Sequence, residues 1–344
     1  MSTKSSKNIL IIQTAFIGDT ILASQFAYQV SQEFPGAQIH FFLRKGNEAV
    51  IQNLPFITRT WIWDKKGGKT RNLLALIKEL RTIDFDFVFN LHRHFNSGLV
   101  SAMVRAKEKI GFKQNPLSFL YDKKVLHQIP DISAMGVRWH EVQRNLKLLQ
   151  MAKPDFNVSE NAKDYRPHLP VSEKNFEKVS SYTSVGEYFV MAPASVWFTK
   201  AWSEHKYQEL CAELSKRAKV YLIGGPDDAP LCERIGKGLQ NVENLCGKLS
   251  LLDSAALMKN AKRVFVNDSG PLHLASCMNA KTTAIFCSTI PEFGYTPLAQ
   301  DSVVIDNGKM SCRPCGLHGH KACPLGHYKC SEDIEVSRVL ATIN

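Results

Sequence analysis

Nowhere does the sequence hold an apolar run near the ~18 residues needed to cross a bilayer, so no membrane span is expected. The first residues, MSTKSSKN, are basic, but only four apolar residues follow before Gln13, too few for a secretory signal. A cytoplasmic setting is therefore expected, with the nine cysteines reduced. Basic residues outnumber acidic ones, 43 Lys and Arg against 32 Asp and Glu, for a net charge of +11. Yet no five basic residues stand in a row, and no zinc-finger, homeodomain or RNA-recognition pattern occurs, so no nucleic acid is expected. Such a charge suits either a generally basic surface or an anionic partner, such as a phosphorylated substrate or an anionic membrane face. No strand candidate is followed by G-x-G-x-x-G, which disfavours a nicotinamide-dependent oxidoreductase or another dinucleotide binder. No Asp-x-Asp pair is placed to hold a divalent metal, and no cofactor is expected.

What is present is a globular composition, 44% hydrophobic and 22% charged, over 344 residues. That length suits two domains, divided here as 1–170 and 171–344. In the first half, strand candidates 9–12, 39–43 and 85–91 alternate with helix candidates 20–33, 73–81 and 97–106. The pattern fades into a polar, proline-bearing stretch around 150–175 that reads as a linker. A second series follows, with strands at 188–192, 220–223, 264–266 and 283–286 and helices at 206–218 and 252–260. Alternation of this kind predicts an α/β fold of two doubly wound, parallel-sheet domains facing each other across a cleft. Ligands of such sheets bind at the carboxyl ends of the strands.

Four strand ends carry candidate chemistry. NILIIQTAFIGDTILAS ends its strand in one glycine, Gly18, followed by Asp19. A carboxylate there repels phosphate, and it either caps a helix starting at Thr20 or takes a proton from a substrate. VFVNDSGPLHLAS places Asp268, Ser269 and Gly270 between a strand and a helix whose first position suits Pro271. Its N–H groups make an anion site, or Asp268 is a plain helix cap. MAPASVWFTKAW puts Lys200 after a strand, as a phosphate partner or a solvated lysine. YLIGGPDDAP sets Asp228 where a carboxylate suits ribose hydroxyls, unless it only builds a glycine-aspartate turn.

Taken together, FIGDTILA, KIGF at 109–112, WHEVQRNLKLL, APASVWFTKAW, IGGPDD, NDSGPLHLA, and STIPEFGYTPL followed by CRPC resemble glycosyltransferase family 9. These are the heptosyltransferases of lipopolysaccharide core assembly. The resemblance runs from residue 9 to about 330 and implies a GT-B architecture of two Rossmann-like domains. The first would bind the acceptor and the second the nucleotide-sugar. It implies Asp19 as catalytic base and Ser195, Lys200 and Asp268 at the donor's phosphate and sugar. Asp228 would lie near the ribose and Leu249 near the adenine. Ser269 and Gly270 would add N–H groups at the leaving diphosphate, where Lys200 also stabilises charge. Val196 stands where some members carry a hydroxyl. The implied reaction is inverting transfer of a heptose from ADP-heptose to a lipopolysaccharide inner-core acceptor, Kdo-lipid A or heptosyl-Kdo-lipid A. A related core transferase with another nucleotide-sugar is the alternative. Gly18 would leave room for the acceptor, and the basic residues between Arg44 and Lys78, Lys65 among them, would meet its negative charge. Peripheral contact with the inner face of the cytoplasmic membrane would follow.

The tract CRPCGLHGHKACPLGHYKC holds Cys312, Cys315, Cys323 and Cys330 with His318, His320 and His327. Cys-x-x-Cys opens many zinc sites, but the remaining spacing fits no standard finger. A structural zinc site and a loop of reduced thiols both remain open. The strand-end residues already fill the roles of the reaction.

Overall fold

The structure, a computed structural model, describes residues 6–129 and 139–343. Residues 1–5 of the basic N-terminal stretch lie outside the described residues. The described chain divides into two compact units, 6–129 with 139–170, and 171–343.

In the first unit the elements run β1 (Asn8–Gln13), α1 (Ile17–Glu33), β2 (Gln38–Arg44), β3 (Arg59–Trp63), α2 (Lys69–Leu80), β4 (Asp84–Asn90), α3 (Phe95–Met103), β5 (Arg105–Phe112), β6 (Lys123–Val125) and α4 (Glu141–Ala152). The sheet order is β3-β2-β1-β4-β5-β6 with every neighbouring pair parallel. Strand β1 is central, pairing Ile9 with Ile39 on one side and Phe87 on the other. A central parallel strand is covered on both faces, so it reads as a continuous apolar run rather than an alternating one. Ile9–Ile12 is such a run and is fully buried. Helix α1 is buried from Thr20 through Ala27, on nearly every side, and packs on α4. It begins at Ile17, with Phe16 as cap, so Asp19 falls inside its first turn rather than before it.

Several elements differ from the sequence reading. Helix α3 stops at Met103 and β5 starts at Arg105, where 97–106 reads as one helix. Strands β3, β5 and β6 do not stand out as apolar runs because they lie toward the two edges of the sheet and are partly exposed. The stretch expected as a linker is tied down on the first unit. The His168 N–H donates to Ser24 Oγ at 2.7 Å, and its ring packs on Tyr28 and Phe56. Gln143 donates to the Ser159 and Glu160 carbonyls.

The second unit runs α5 (Glu173–Thr183), β7 (Tyr188–Ala192), α6 (Glu204–Ser215), β8 (Lys219–Leu222), α7 (Ala229–Gly236), β9 (Val242–Asn244), α8 (Leu251–Lys259), β10 (Arg263–Asn267), α9 (Gly270–Cys277), β11 (Thr282–Phe286), β12 (Ser302–Asp306), α10 (Lys329–Glu332) and α11 (Val336–Leu340). Its parallel sheet has the order β12-β11-β10-β7-β8-β9. Strands β7, β10 and β11 are wholly buried. In both units the first three strands wind one way and the last three the other. That leaves a switch point between the first and fourth strands of each, where loops diverge and ligands bind. In the first unit it lies between β1 and β4, in the second between β7 and β10. No helix among the described residues is long and apolar enough to cross a membrane.

Candidate active site

At the switch point of the second unit, the loop after β7 meets the loop after β10. Asn267, fully buried, joins them: its Nδ2 donates to the Pro193 carbonyl at 2.7 Å, and its Oδ1 accepts from Trp202 N–H and Tyr207 Oη, both at 3.0 Å. This places Lys200, in a short 3-10 turn at Phe198–Lys200, against Asp268. Lys200 Nζ stands 2.7 Å from Asp268 Oδ2, with side-chain exposures of 15% and 9%. Thr289 Oγ1, after β11, donates to the same carboxylate at 2.6 Å. Asp268 is therefore a partner of Lys200 and Thr289. Ser269 holds the cap position of α9 without a side-chain cap bond, and Pro271 sits second in the helix, after Gly270, not first. The N–H groups opening α9 lie at the positive end of the helix dipole.

His273, one turn into α9, has a buried Nδ1 without a hydrogen-bond partner. Burial pushes its pKa down to about 4, against the opposing pull of Asp268. It is neutral near pH 7. Ser195 lies half-buried in the loop after β7. Asp228 follows β8, where its Oδ2 accepts the Gly225 N–H at 2.8 Å. A side chain at Gly224 would strike Asp228 at 2.7 Å, so this glycine permits a close approach. Leu249 lies half-buried in the loop after β9, whose Gly247 N–H donates to the Gly224 carbonyl at 3.1 Å. All the donor residues named from the sequence thus stand after carboxyl ends of strands β7 to β10.

The first unit has its own cluster at the β1/β4 switch point. Thr14, after β1, hydrogen-bonds through Oγ1 to His92 Nδ1, after β4, at 2.8 Å. Its carbonyl accepts from Lys65 Nζ at 3.0 Å. Asn47 Nδ2 donates to the Ala15 carbonyl and to Thr20 Oγ1, which fixes the loop that leads into Gly18 and Asp19. Arg44 stacks on the exposed Phe16 ring, and Lys65 on Trp63. Burial, with Arg44 and Lys69 nearby, pushes the Lys65 ammonium below its usual pKa. Burial, aided by His94, Lys65 and Arg93, pushes His92 down to about 3, so its imidazole is neutral. Both shifts come first from burial, with neighbouring cations adding to it.

The structure thus brings Arg44, Lys65 and Lys69 of the expected basic stretch into one cluster and adds Arg93, His92 and His94, which sequence reading missed. Their signal was available: HRH directly follows a strand candidate. Not every basic residue of the 44–78 stretch belongs here. Lys45 pairs with Asp64, and Arg59, at the start of β3, pairs with Glu79. In the second unit, His273 and Thr289 were missed, although both lie within motifs that carry the family resemblance. The one Asp-x-Asp sequence, Asp84-Phe85-Asp86, opens β4 at its amino end, and its carboxylates pair with Arg105 and Lys107.

Two doubly wound units of this strand order, each with charged residues gathered at its switch point, give the chain a two-domain α/β architecture of GT-B type. The family model of glycosyltransferase family 9 (heptosyltransferase) matches residues 73–329, and the chain belongs to that family. It is 25% identical to lipooligosaccharide heptosyltransferase 2 of Campylobacter jejuni over 339 residues, 96% of each chain. Among solved structures, ADP-heptose lps heptosyltransferase II of E. coli superposes with a TM-score of 0.78 at 21% identity, covering 98% of this chain and 97% of that one. E. coli heptosyltransferase WaaC with ADP-2-deoxy-2-fluoro heptose gives a TM-score of 0.70 at 18% identity, covering 98% of each.

Proposed function

We propose that this enzyme transfers a heptose, with inversion, from ADP-heptose to the inner core of lipopolysaccharide, Kdo-lipid A or a heptosyl-Kdo-lipid A. The observation that carries the donor half is the Lys200–Asp268 pair beside the amino end of α9, at the switch point of the second unit. A diphosphate docks there against one cation and the helix N–H groups, while Asp268, itself held by the Thr289 hydroxyl, keeps that cation in place. The ADP-sugar bound by WaaC and the name of the Campylobacter relative support this donor and this acceptor class.

The chemistry follows from the residues. The acceptor hydroxyl loses its proton to Asp19 as it attacks the anomeric carbon, and direct displacement inverts that centre. Charge gathers on the departing diphosphate, where Lys200 and the amides at Ser269 and Gly270 stabilise it. Ser195 joins them at the phosphate, Asp228 receives the ribose and Leu249 the adenine. On the first unit, Gly18 gives the acceptor room beside Asp19, while Arg44 and Lys65 with their basic neighbours attract its anionic groups. Residues 1–170 are thus the acceptor domain and 171–344 the donor domain. The enzyme works in the cytoplasm, in peripheral contact with the inner membrane that presents its acceptor.

ADP or an ADP-sugar at about a hundredfold its dissociation constant is expected to stabilise the protein by ~2.7 kcal/mol. A thermal melt with ADP, UDP and NADH tests this: ADP should raise Tm most and NADH not at all. Equal stabilisation by NADH would sink the transferase reading, and a larger shift with UDP would replace the donor.

Turnover is also expected without added magnesium, because Lys200 and the amides opening α9 supply the positive charge at the diphosphate. Initial rates with and without MgCl2 should agree within about twofold, against the several kcal/mol a Lewis-acid metal contributes. Rates that appear only with MgCl2 would contradict this mechanism.

A further inference from the structure

Among the described residues, no three or more His, Cys, Asp or Glu side chains are grouped so that they could hold a metal ion. The end of the chain meets the donor loop through other groups. Lys200 closes the 3-10 turn Phe198–Lys200, and α6 follows with Ser203 as its cap. A turn this short makes few bonds of its own, so outside partners decide where it sits. The residues around Lys200 have such partners. The Thr199 N–H donates to the His320 carbonyl at 3.1 Å, and the His320 N–H returns a bond to Thr199 Oγ1 at 2.7 Å. The two segments come so close that a Cβ at Gly319 would stand 2.8 Å from Thr199 Oγ1 and 3.1 Å from the Lys200 side chain. Tyr328 Oη donates to the Phe198 carbonyl at 2.9 Å and to the Ala201 carbonyl, one proton shared by two acceptors. Past Trp202, which Asn267 holds, the Ser203 N–H donates to Ser331 Oγ at 2.8 Å. The Tyr328 hydroxyl thus grips the chain on both sides of Lys200.

The backbone of Tyr328 is a second, separate observation. It sits at φ +49°, in the left-handed region. Glycine adopts that backbone without cost, and the chain uses glycine for it nearby, at Gly316, Gly319 and Gly326. A bulky aromatic residue there is an outlier. Strain of this kind persists only where the surroundings over-determine it, and it gathers at functional sites. What tyrosine adds over glycine is its ring and its hydroxyl. The ring is buried, 9% exposed, and stacks on Phe198 with centroids 5.0 Å apart and planes 28° apart. The hydroxyl makes the two bonds to the turn. Both parts of the side chain therefore act on the segment that carries Lys200.

We propose that Tyr328 and Thr199 are positioning residues for the donor: they fix the 198–201 turn so that the Lys200 ammonium stands ready for the diphosphate. The inference rests on the reading above, that Lys200 meets the diphosphate. Neither residue needs to touch the donor. A lysine stem is long and flexible, so its head is placed only as well as its Cα is held. Asp268 fixes the head, and the turn fixes the stem. A misplacement of about 1 Å can cost about 10²-fold in a reaction that depends on orientation. With the turn loose, the ammonium would be ordered only as the donor binds, and that ordering would weaken affinity.

The test compares ADP with adenosine, which has no phosphate for Lys200, on the full chain. Tyr328→Phe keeps the ring on Phe198 and removes only the hydroxyl. Its ADP affinity should fall about 3- to 10-fold, the worth of one net hydrogen bond, while adenosine binds as before. Thr199→Val keeps the shape, removes the hydroxyl that meets His320 and should show the same selective loss, so the test stands if one of the two variants does not fold. Tyr221→Phe is the control. Its hydroxyl bonds the Tyr182 carbonyl at 2.9 Å, so the variant should lose Tm and leave ADP affinity unchanged. In the Lys200→Ala/Asp268→Asn background, Tyr328→Phe should have no further effect on ADP, because no ammonium is left to place. A Tyr328→Phe or Thr199→Val protein that loses Tm but not ADP affinity would overturn the inference. So would equal weakening of ADP and adenosine, or the same loss of ADP affinity with and without Lys200. Lys200→Ala separates the two layers. If it leaves ADP affinity unchanged, the donor reading fails and the inference with it. If it weakens ADP while the Tyr328 and Thr199 variants do not, the positioning role alone fails.

Discussion

Asp19→Asn should fold, bind the donor like the wild type and lose about 10²–10⁴ in turnover, the usual worth of a positioned base. That is roughly 3–5 kcal/mol of barrier. Asparagine matches aspartate in size and cannot accept the acceptor's proton. Because Asp19 sits in the first turn of α1, its charge also favours the helix dipole, a term of about 0.3–1 kcal/mol. The variant's Tm should therefore fall only slightly. Donor affinity should hold, because the proposed donor residues all belong to the second unit. The wild-type rate should drop at acid pH as the carboxylate takes a proton, and the residual rate of the variant should lack that limb. Measuring kcat, ADP-sugar affinity and Tm separates this from a helix-stabilising role, which predicts the reverse: a small stability change with turnover intact. A folded, donor-binding variant within threefold of wild-type turnover would falsify the catalytic role.

Lys200→Ala should lose both donor affinity and rate, and it should also cost stability. A charge-assisted contact to the diphosphate contributes roughly 1.5–3 kcal/mol, about 10- to 150-fold. Removing the lysine also strands Asp268, which is 9% exposed and then keeps only the Thr289 hydroxyl. Breaking a buried pair from one side costs about 3–5 kcal/mol. The loss of activity in the single variant would thus mix two causes. Lys200→Ala/Asp268→Asn resolves them, since no buried charge is left unpaired. The double variant should regain most of the lost Tm while its donor affinity and kcat stay low. Recovery of activity along with stability would mean that Lys200 only balances Asp268 and does not meet the donor.

The parts of the fold that were legible follow from burial. Central strands of a parallel sheet lie between two helical layers, so β1, β7, β10 and β11 are buried almost throughout, carry apolar runs and stand out. Their loops stood out with them, which is why Asp19, Lys200 and Asp268 could be named. The outer strands β3, β6, β9 and β12 expose part of their surface and carry Arg59, Lys123, Lys124, Glu243 and Ser302, so their apolar stretches are short or missing and they do not read as buried strands. Strand β5 was hidden differently: its first residues extend a helical pattern that in fact ends at Met103. The stretch at 150–170 looked like a linker because its composition is polar, yet its backbone and His168 are held by α1 and α4 through single hydrogen bonds that composition does not record.

The same division separates the site residues. Sequence alone determined which residue types stand at the strand ends, because strand, turn and helix are local and the sheet's topology carries those turns to one edge. It also determined the family, through motifs spread over nearly the whole chain. Only the tertiary structure decided partners. Asp268 caps nothing but faces Lys200, 68 residues away in sequence, and Thr289. His92 becomes a neutral neighbour of Thr14, 78 residues away, through burial among cations. Four cysteines spread over 19 residues come to line one cavity. The physical reason is that propensity and hydrophobic pattern act over a few residues, whereas charge pairing, burial and pKa are set by what the sheet order brings within a few ångströms.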